Sequence, residues 1–166
     1  MKNTRMVLCS LAALCVAAYS QTGNRPEDVQ ALKDNEARWN REYAAKDIEK
    51  VVAHYADNAV LMAPGMPAVS GRDAIRKMLK EMLADPALSL KFQASRVEVS
   101  SSGDLGFTQG SYQMTMTDPA SKQAIHDHGS YVTTYRKQAD GSWKAIADIA
   151  CSELPPPSPS SQAKEK

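Results

Sequence analysis

Apolar residues recur at helical spacing in the first half of the chain. Val29, Leu32, Glu36, Trp39 and Tyr43 follow one another in steps of three and four residues, which places them on one face of a helix. Only Glu36 is charged among them, so the pattern predicts a carboxylate that faces the interior.

Two more helices are predicted before the middle of the chain. Asp47 is a good N-cap for a second helix whose apolar face runs to Tyr55. Ser70 and Asp73 form a capping box for a third helix, which the Asp-Pro pair at 85–86 ends.

The second half alternates between apolar and polar residues, with turn signals at hairpin spacing, which is typical of β-strands. A short strand at 59–63, following a break at 57–58, precedes this region, and the four long strands are predicted at 88–99, 105–117, 124–138 and 142–152. In the first long strand the apolar phase slips between Ala94 and Val97, as a β-bulge would make it do.

This order of elements predicts an α+β fold. Three N-terminal helices are predicted to pack on one face of a strongly curved, mainly antiparallel sheet. Such a sheet leaves a hollow at its open end, where small-molecule sites commonly lie. The loop at 64–67 is predicted to roof this hollow.

Composition narrows the class of protein without naming a reaction. The 166 residues carry a formal net charge of +1 and are 43% hydrophobic, which is ordinary for a soluble domain and gives no basic excess for nucleic acid. No P-loop, dinucleotide glycine pattern or HExxH sequence is present. No cofactor is therefore implied.

The two ends of the chain differ from the domain between them. Residues 1–20 have a basic start, a short apolar run and small residues before a cut near Ser20, which predicts a cleaved signal peptide and a secreted or periplasmic protein that leaves the membrane after cleavage. Residues 21–27 form a polar lead-in, 28–153 the domain, and 154–166 a proline- and serine-rich disordered tail. Cys151 is then the only cysteine left, and the expected role is that of a small semi-buried side chain.

The chain also resembles a known family. Its marks are Glu36-x-x-Trp39, the segment at 55–60 (YADNAV), the segment at 70–75 (SGRDAI) and the segment at 140–144 (DGSWK) with Asp148-Ile149. These are similar to the SnoaL-like, ketosteroid-isomerase-like proteins of the nuclear-transport-factor-2-like superfamily, over roughly residues 28–153. The resemblance implies the cone fold and a homodimer formed through the sheet face, but this superfamily hosts many functions.

Three side chains are candidates for proton transfer. Glu36 either works as a general acid or base or turns to a strand donor and orders the core. Asp148 faces the cavity in one strand phase and water in the other, and the family resemblance favours the cavity. His128 either pairs with a carboxylate, since imidazole titrates near neutrality, or is a solvent-facing residue at a strand start.

Aromatic and thioether side chains are the candidates for the cavity wall. Methionine adapts to irregular apolar shapes, and a tyrosine hydroxyl can hydrogen-bond to a ligand. The candidate ligand-binding residues are Trp39, Tyr43, Tyr55, Met62, Met66, Tyr112 and Tyr131.

The leading interpretation is an exported protein that binds a small, largely apolar molecule in its cone. It leaves open a cofactor-independent reaction of the isomerase, dehydratase or hydrolase type. The alternative is a non-catalytic interaction or assembly module whose cavity is filled by side chains. Metal binding through His126 and His128 is disfavoured, because a zinc site needs at least three protein ligands and no further His/Cys cluster exists.

Overall fold

The computed structural model describes residues 25–118 and 121–155. In chain order the elements are α1 Pro26–Ala44, α2 Ile48–Ala53, β1 Tyr55–Met62, β2 Val69–Ser70, α3 Arg72–Leu83, β3 Ser89–Val99, β4 Leu105–Thr117, β5 Ala124–Lys137 and β6 Trp143–Ser152. The predicted α+β architecture with three N-terminal helices is confirmed. The predicted signal peptide, and the predicted tail from residue 156 onward, lie outside the described residues.

The six strands form one sheet in the order β2-β1-β6-β5-β4-β3. All neighbours are antiparallel except β1 and β6, which are parallel. The register between β3 and β4 shifts between Ala94 and Arg96, so the bulge predicted from the phase slip is confirmed. A second shift interrupts the pairing of β5 with β6 between Thr134 and Tyr135. Bulges bend a sheet, and these two help to curve it around the helices.

The core lies between the inner face of this sheet and the three helices. Leu32 and Trp39 on α1 are buried together with Val51 on α2 and Ile75 on α3, so each helix contributes its apolar face, as predicted. The carboxylate of Asp85 accepts hydrogen bonds from the backbone N–H and the hydroxyl of Thr117 at 2.6 and 2.9 Å. This contact ties the end of α3 to the end of β4.

The two edge strands are each protected. At one edge β2 has only two residues. At the other edge Asn40 of α1 clamps the backbone of Phe92 in β3, donating from Nδ2 to the carbonyl at 2.8 Å and accepting from the N–H at 3.0 Å. The Asn40 amide therefore occupies the backbone groups that a further strand would need.

Three local predictions are wrong. Helix α2 ends at Ala53, and Tyr55 begins β1. The pair at 57–58 does not end an element, because β1 continues through it and only its pairing with β6 is interrupted between Tyr55 and Val60. The capping box does not form: Ser70 pairs with Val60 in the sheet, and Gly71, at φ +89°, is the N-cap of α3 with no side-chain cap hydrogen bond.

Candidate functional site

Strand β5 presents three hydroxyl side chains to the interior. Tyr131, Thr133 and Tyr135 share one phase of the strand, since successive side chains point to opposite faces, and all three are buried. Their neighbours on β4 are small: Gly110 pairs with Tyr131 and Gly106 with Tyr135. Glycine suits both positions, because an added Cβ would meet the backbone carbonyl of Gln93 or of Glu98 on β3.

Glu36 accepts hydrogen bonds from side chains of both strands, β4 and β5. Its Oε1 accepts from Thr108 Oγ1 at 2.7 Å and from Tyr135 Oη at 2.6 Å. Its Oε2 accepts from Tyr131 Oη at 2.6 Å. The residue is only 5% exposed, so three hydroxyl groups replace the water that a carboxylate would otherwise need. Glu36 therefore faces the interior, as its helical position predicts.

Asp148 also faces the interior, although a regular strand with Trp143 and Ala145 buried would turn it outward. Trp143 and Ala145 are buried, and the bulge beside Ala145 adds one residue to β6. This extra residue changes the phase, so that Asp148 rather than Ile149 turns inward. Its Oδ2 accepts from Tyr55 Oη at 2.7 Å, and its Oδ1 accepts from Thr133 Oγ1 at 2.9 Å.

Burial and the neighbouring Glu36 affect the ionisation of Asp148. Burial raises the pKa of Asp148, against the hydrogen bonds from Tyr55 and Thr133, and the charge of Glu36 raises it further. Burial also raises the pKa of Tyr131 and of Tyr135, with the Glu36 carboxylate as the second cause. The phenols therefore stay protonated and remain donors. We call this set the carboxylate layer; it comprises Glu36, Tyr55, Thr108, Tyr131, Thr133, Tyr135 and Asp148.

A groove with a volume of about 680 Å³ opens beside the carboxylate layer, within the usual range for small-molecule sites. The end of α1 and strands β3 and β4 line it, and we call it the β3 groove. Its lining residues are Asn40, Arg41, Tyr43, Ala44, Leu88, Ser89, Leu90, Lys91, Phe92, Gln93, Ser111, Tyr112 and Gln113.

Aromatic rings connect the groove with the carboxylate layer. The ring of Phe92 meets the ring of Tyr131 edge-on at 5.7 Å and the ring of Tyr43 at 6.1 Å between centroids. Burial and the Asp148 charge raise the pKa of Tyr43. Behind them Trp39 packs edge-on against Tyr55 at 5.1 Å. Of the predicted wall, the structure thus brings Trp39, Tyr43, Tyr55 and Tyr131 together.

Tyr112 lines the groove, but its hydroxyl binds Asp127 and not a carboxylate of the carboxylate layer. Its hydroxyl donates to Asp127 Oδ2 at 2.9 Å, and Ser152 Oγ donates to Asp127 Oδ1 at 2.6 Å. Burial and the hydrogen bond with Asp127 raise the pKa of this phenol. Asp127 is the inward-facing residue between His126 and His128.

Three predicted site residues are brought neither to the carboxylate layer nor to the β3 groove. The side chain of His128 is 58% exposed and lies 3.9 Å from Glu153, on the outer face of the sheet, because β5 turns Asp127 and Gly129 inward. Met62 pairs with the outward-facing Ile149. Met66 lies in the loop after β1 and is 37% exposed.

The paired histidines point outward together. Nδ1 of His126 lies 3.0 Å from the hydroxyl of Thr115. Within residues 25–118 and 121–155, no group of three or more His, Cys, Asp and Glu side chains is arranged to hold a metal ion. Cys151 is exposed rather than semi-buried, since it follows Ile149 on the outward phase of β6.

Several members of the site were not among the predicted site residues. Thr108, Thr133 and Tyr135 supply three of the five hydroxyl donors to the two carboxylates. The sequence carried a usable signal for these three residues. Each lies an even number of positions from a glycine or tyrosine of the same strand and therefore points to the same face. Arg41 and Lys91, which line the β3 groove, carried no such signal.

The fold and the buried layer define a class of protein: a cone-shaped α+β domain with polar groups inside the cone. Over residues 37–146 the chain matches the model of the SnoaL-like domain. The chain therefore belongs to the SnoaL-like family. No curated protein matches the chain in sequence.

Solved structures agree with this assignment. A ketosteroid isomerase-like protein from Erwinia carotovora atroseptica is 25% identical, with a TM-score of 0.67 over 78% of this chain and 98% of the other. An NTF2-like protein from Novosphingobium aromaticivorans is 18% identical, with a TM-score of 0.62 over 85% and 90%. An NTF2-like protein from Salmonella enterica is 10% identical, with a TM-score of 0.64 over 81% and 96%. The last two show the shared fold alone.

Proposed function

We propose that the protein binds a small, largely apolar molecule in the β3 groove, that Asp148 moves protons on it and that Glu36 orients the Tyr131 hydroxyl. The reaction classes that such a pair serves without a cofactor are isomerisation, dehydration and hydrolysis. The observation that carries this proposal is the carboxylate layer, where two carboxyl groups with hydroxyl partners lie behind the aromatic wall of the groove.

The difference between the two carboxyl groups suggests how their work would divide. Glu36 accepts three hydrogen bonds from hydroxyl groups, which occupy both of its oxygens and suit it to holding the phenols in place. Asp148 holds two donors, and burial raises its pKa. A carboxyl group whose pKa is raised toward neutrality is suited to give and take a proton. We therefore assign proton transfer to Asp148 and orientation of the Tyr131 hydroxyl to Glu36.

Binding can be tested before any reaction is known. Ala44 and Ala37 are both exposed alanines on α1, and only Ala44 lines the groove. Native mass spectrometry of the purified chain should find a co-purified molecule in the wild type and in Ala37→Trp. It should find none in Ala44→Trp, where the new ring fills the groove. Retention of the molecule by Ala44→Trp would place its site elsewhere.

Catalysis is tested on the molecule so identified. Asp148→Asn should lower turnover by about 10²- to 10⁴-fold, the usual contribution of a general acid or base. The affinity for the molecule should change little, because the amide keeps the shape of the side chain. If Asp148→Asn and Glu36→Gln both retain full turnover, the acid–base assignment is wrong.

The second candidate is a non-catalytic interaction module, and one observation favours it. Both oxygens of Glu36 are already taken by protein hydroxyls, as expected for a carboxylate that orders the core. On this interpretation Glu36→Gln lowers the free energy of unfolding and leaves no activity to lose. A panel of esters, hydroxy acids and β,γ-unsaturated ketones, followed by proton NMR, separates the two candidates.

We also propose self-association through the outer face of the sheet. Met62, Ile149 and Val132 are neighbours across three strands, and Val132 and Ile149 are 36% and 37% exposed. The neighbouring Ala147 and Thr134 are uncharged, so two copies can meet there without like charges opposing each other. Light scattering should report a dimer for the wild type and a monomer for Ile149→Arg; a wild-type monomer would refute the proposal.

Export remains a proposal based on residues 1–20. The described residues contain no helix that is long and apolar enough to cross a membrane. Expression of the full chain in a bacterial host, followed by fractionation and mass measurement, should give a periplasmic product that starts near Gln21. A cytoplasmic product with its first residues intact would refute the proposal.

A further inference from the structure

The β3 groove carries charge of one sign. Its lining includes the cations Arg41 and Lys91 and no aspartate or glutamate. Its other polar lining groups, apart from the Tyr43 and Tyr112 hydroxyls, are the neutral side chains of Asn40, Ser89, Gln93, Ser111 and Gln113. A cleft lined by one sign of charge attracts the opposite sign, because the low-dielectric walls concentrate the field.

Both cations are unengaged within residues 25–118 and 121–155. No carboxylate there lies within 4.0 Å of the Arg41 guanidinium or the Lys91 ammonium. Other cations on the same two elements are paired: on α1 Arg38 pairs with Glu42 at 4.0 Å, and on β3 Arg96 pairs with Glu98 at 2.6 Å.

One acid beside the groove, Asp127, already has hydrogen-bond partners. A recess of about 310 Å³ adjoins the groove, shares Lys91 with it and includes Asp127. Both oxygens of Asp127 accept hydroxyl protons, from Tyr112 and from Ser152. Asp127 therefore has its own partners, and the ammonium of Lys91 remains available to a ligand.

The groove also offers an apolar surface next to these cations. Tyr43, Leu88 and Tyr112 are buried at 6–8% exposure, and Leu90 and Phe92 are partly buried against the core. The Asn40 amide is already hydrogen-bonded to the backbone of Phe92, so it is not available to bind an anionic ligand.

We infer that the β3 groove takes amphipathic carboxylic acids, with the carboxylate at Arg41 and the apolar body against Phe92 and Tyr43. Lys91 leaves β3 on the opposite face from Phe92 and adds its charge at the strand edge. This inference rests on the proposed function, which it extends from an apolar molecule to an apolar acid. Arginine suits this task because its planar guanidinium can donate two parallel hydrogen bonds to one carboxylate. The acid would be drawn in by charge and held by apolar contact.

Decanoate and 1-decanol are the two probes, since they share a chain and differ in charge. Titration calorimetry on the full chain in low salt should give a dissociation constant for decanoate about tenfold below that for decanol. In Arg41→Gln/Lys91→Gln that preference should disappear, because each exposed ion pair contributes roughly a two- to fivefold effect. Raising the NaCl concentration to about 0.5 M should weaken decanoate alone.

The matched control is Lys33→Gln/Lys80→Gln, which removes the same charge from two exposed lysines outside the groove. It should keep the preference for decanoate. If the wild type binds both probes equally, the inference about charge fails and the proposed function stands. If neither probe binds at millimolar concentration, both fail. If the control double variant loses as much affinity as the groove variant, net charge rather than the site explains the effect, and the inference is overturned.

Discussion

Tyr135 provides the sharpest test of the carboxylate layer. Its side chain is 0% exposed, and its hydroxyl donates to Glu36 Oε1 at 2.6 Å. Tyr135→Phe removes that one oxygen and keeps the ring, so the packing of the core is preserved and no cavity forms. What changes is that the Glu36 carboxylate keeps two donors instead of three.

The magnitude follows from the charge on the acceptor. A hydrogen bond to a charged group contributes about 1.5–3 kcal/mol to stability, more than a neutral one. With a loss of about 2 kcal/mol and a urea m-value of about 1.5 kcal/mol/M, the unfolding midpoint should fall by roughly 1.3 M. Urea unfolding at pH 7, followed by far-UV circular dichroism, measures this shift.

The control is Tyr112→Phe, which removes the same atom from a tyrosine outside the layer. Asp127 keeps the donor Ser152 and lies in an open recess, so the loss should stay below about 1 kcal/mol. A double-mutant cycle of Tyr135→Phe with Glu36→Gln should show a coupling of at least about 1 kcal/mol. Equal losses for the two tyrosines, or a coupling below about 0.5 kcal/mol, would show that Glu36 does not depend on its donors.

Two further predictions concern packing and pH. Gly110→Ala should destabilise by about 1–3 kcal/mol or more, because the new Cβ would lie 1.9 Å from the Gln93 carbonyl oxygen; urea unfolding beside the exposed Ser111→Ala, expected near zero, checks this. Burial lowers the pKa of His54, against its hydrogen bond with Glu42. Between that lowered value and the unfolded value of about 6.5, the unfolded chain binds more protons, so the free energy of unfolding should fall as pH falls through this window. His54→Gln should remove that part of the pH dependence, and an unchanged profile would contradict the assignment.

Much of the fold was predictable because its elements follow simple periods. The steps of three and four from Val29 to Tyr43 gave α1 its inner face, and they placed Glu36 in the interior without any knowledge of its partners. The phase slip after Ala94 predicted a bulge that the structure contains between Ala94 and Arg96. These patterns are local, so one stretch of sequence is enough to find them.

The site was less predictable, because it depends on events between strands. The bulge beside Ala145 turns Asp148 inward, yet nothing in that stretch of sequence distinguishes it from a regular strand. Met62 was expected to line the cavity, and His128 was left open between an acid–base role and a solvent-facing one. Both lie on the outer face, and one residue of register would reverse that direction. The donors of Glu36 come from β4 and β5, 72–99 residues away along the chain, and only the folded sheet brings them together.

The Asn40 clamp and the short β2 strand together determine how this domain can meet other molecules. With the backbone groups of Phe92 occupied at one border and the strand at the other border only two residues long, a foreign strand finds less open ladder to extend. Growth into cross-β assemblies is thereby discouraged at both borders, and the faces of the sheet are favoured for the association of copies.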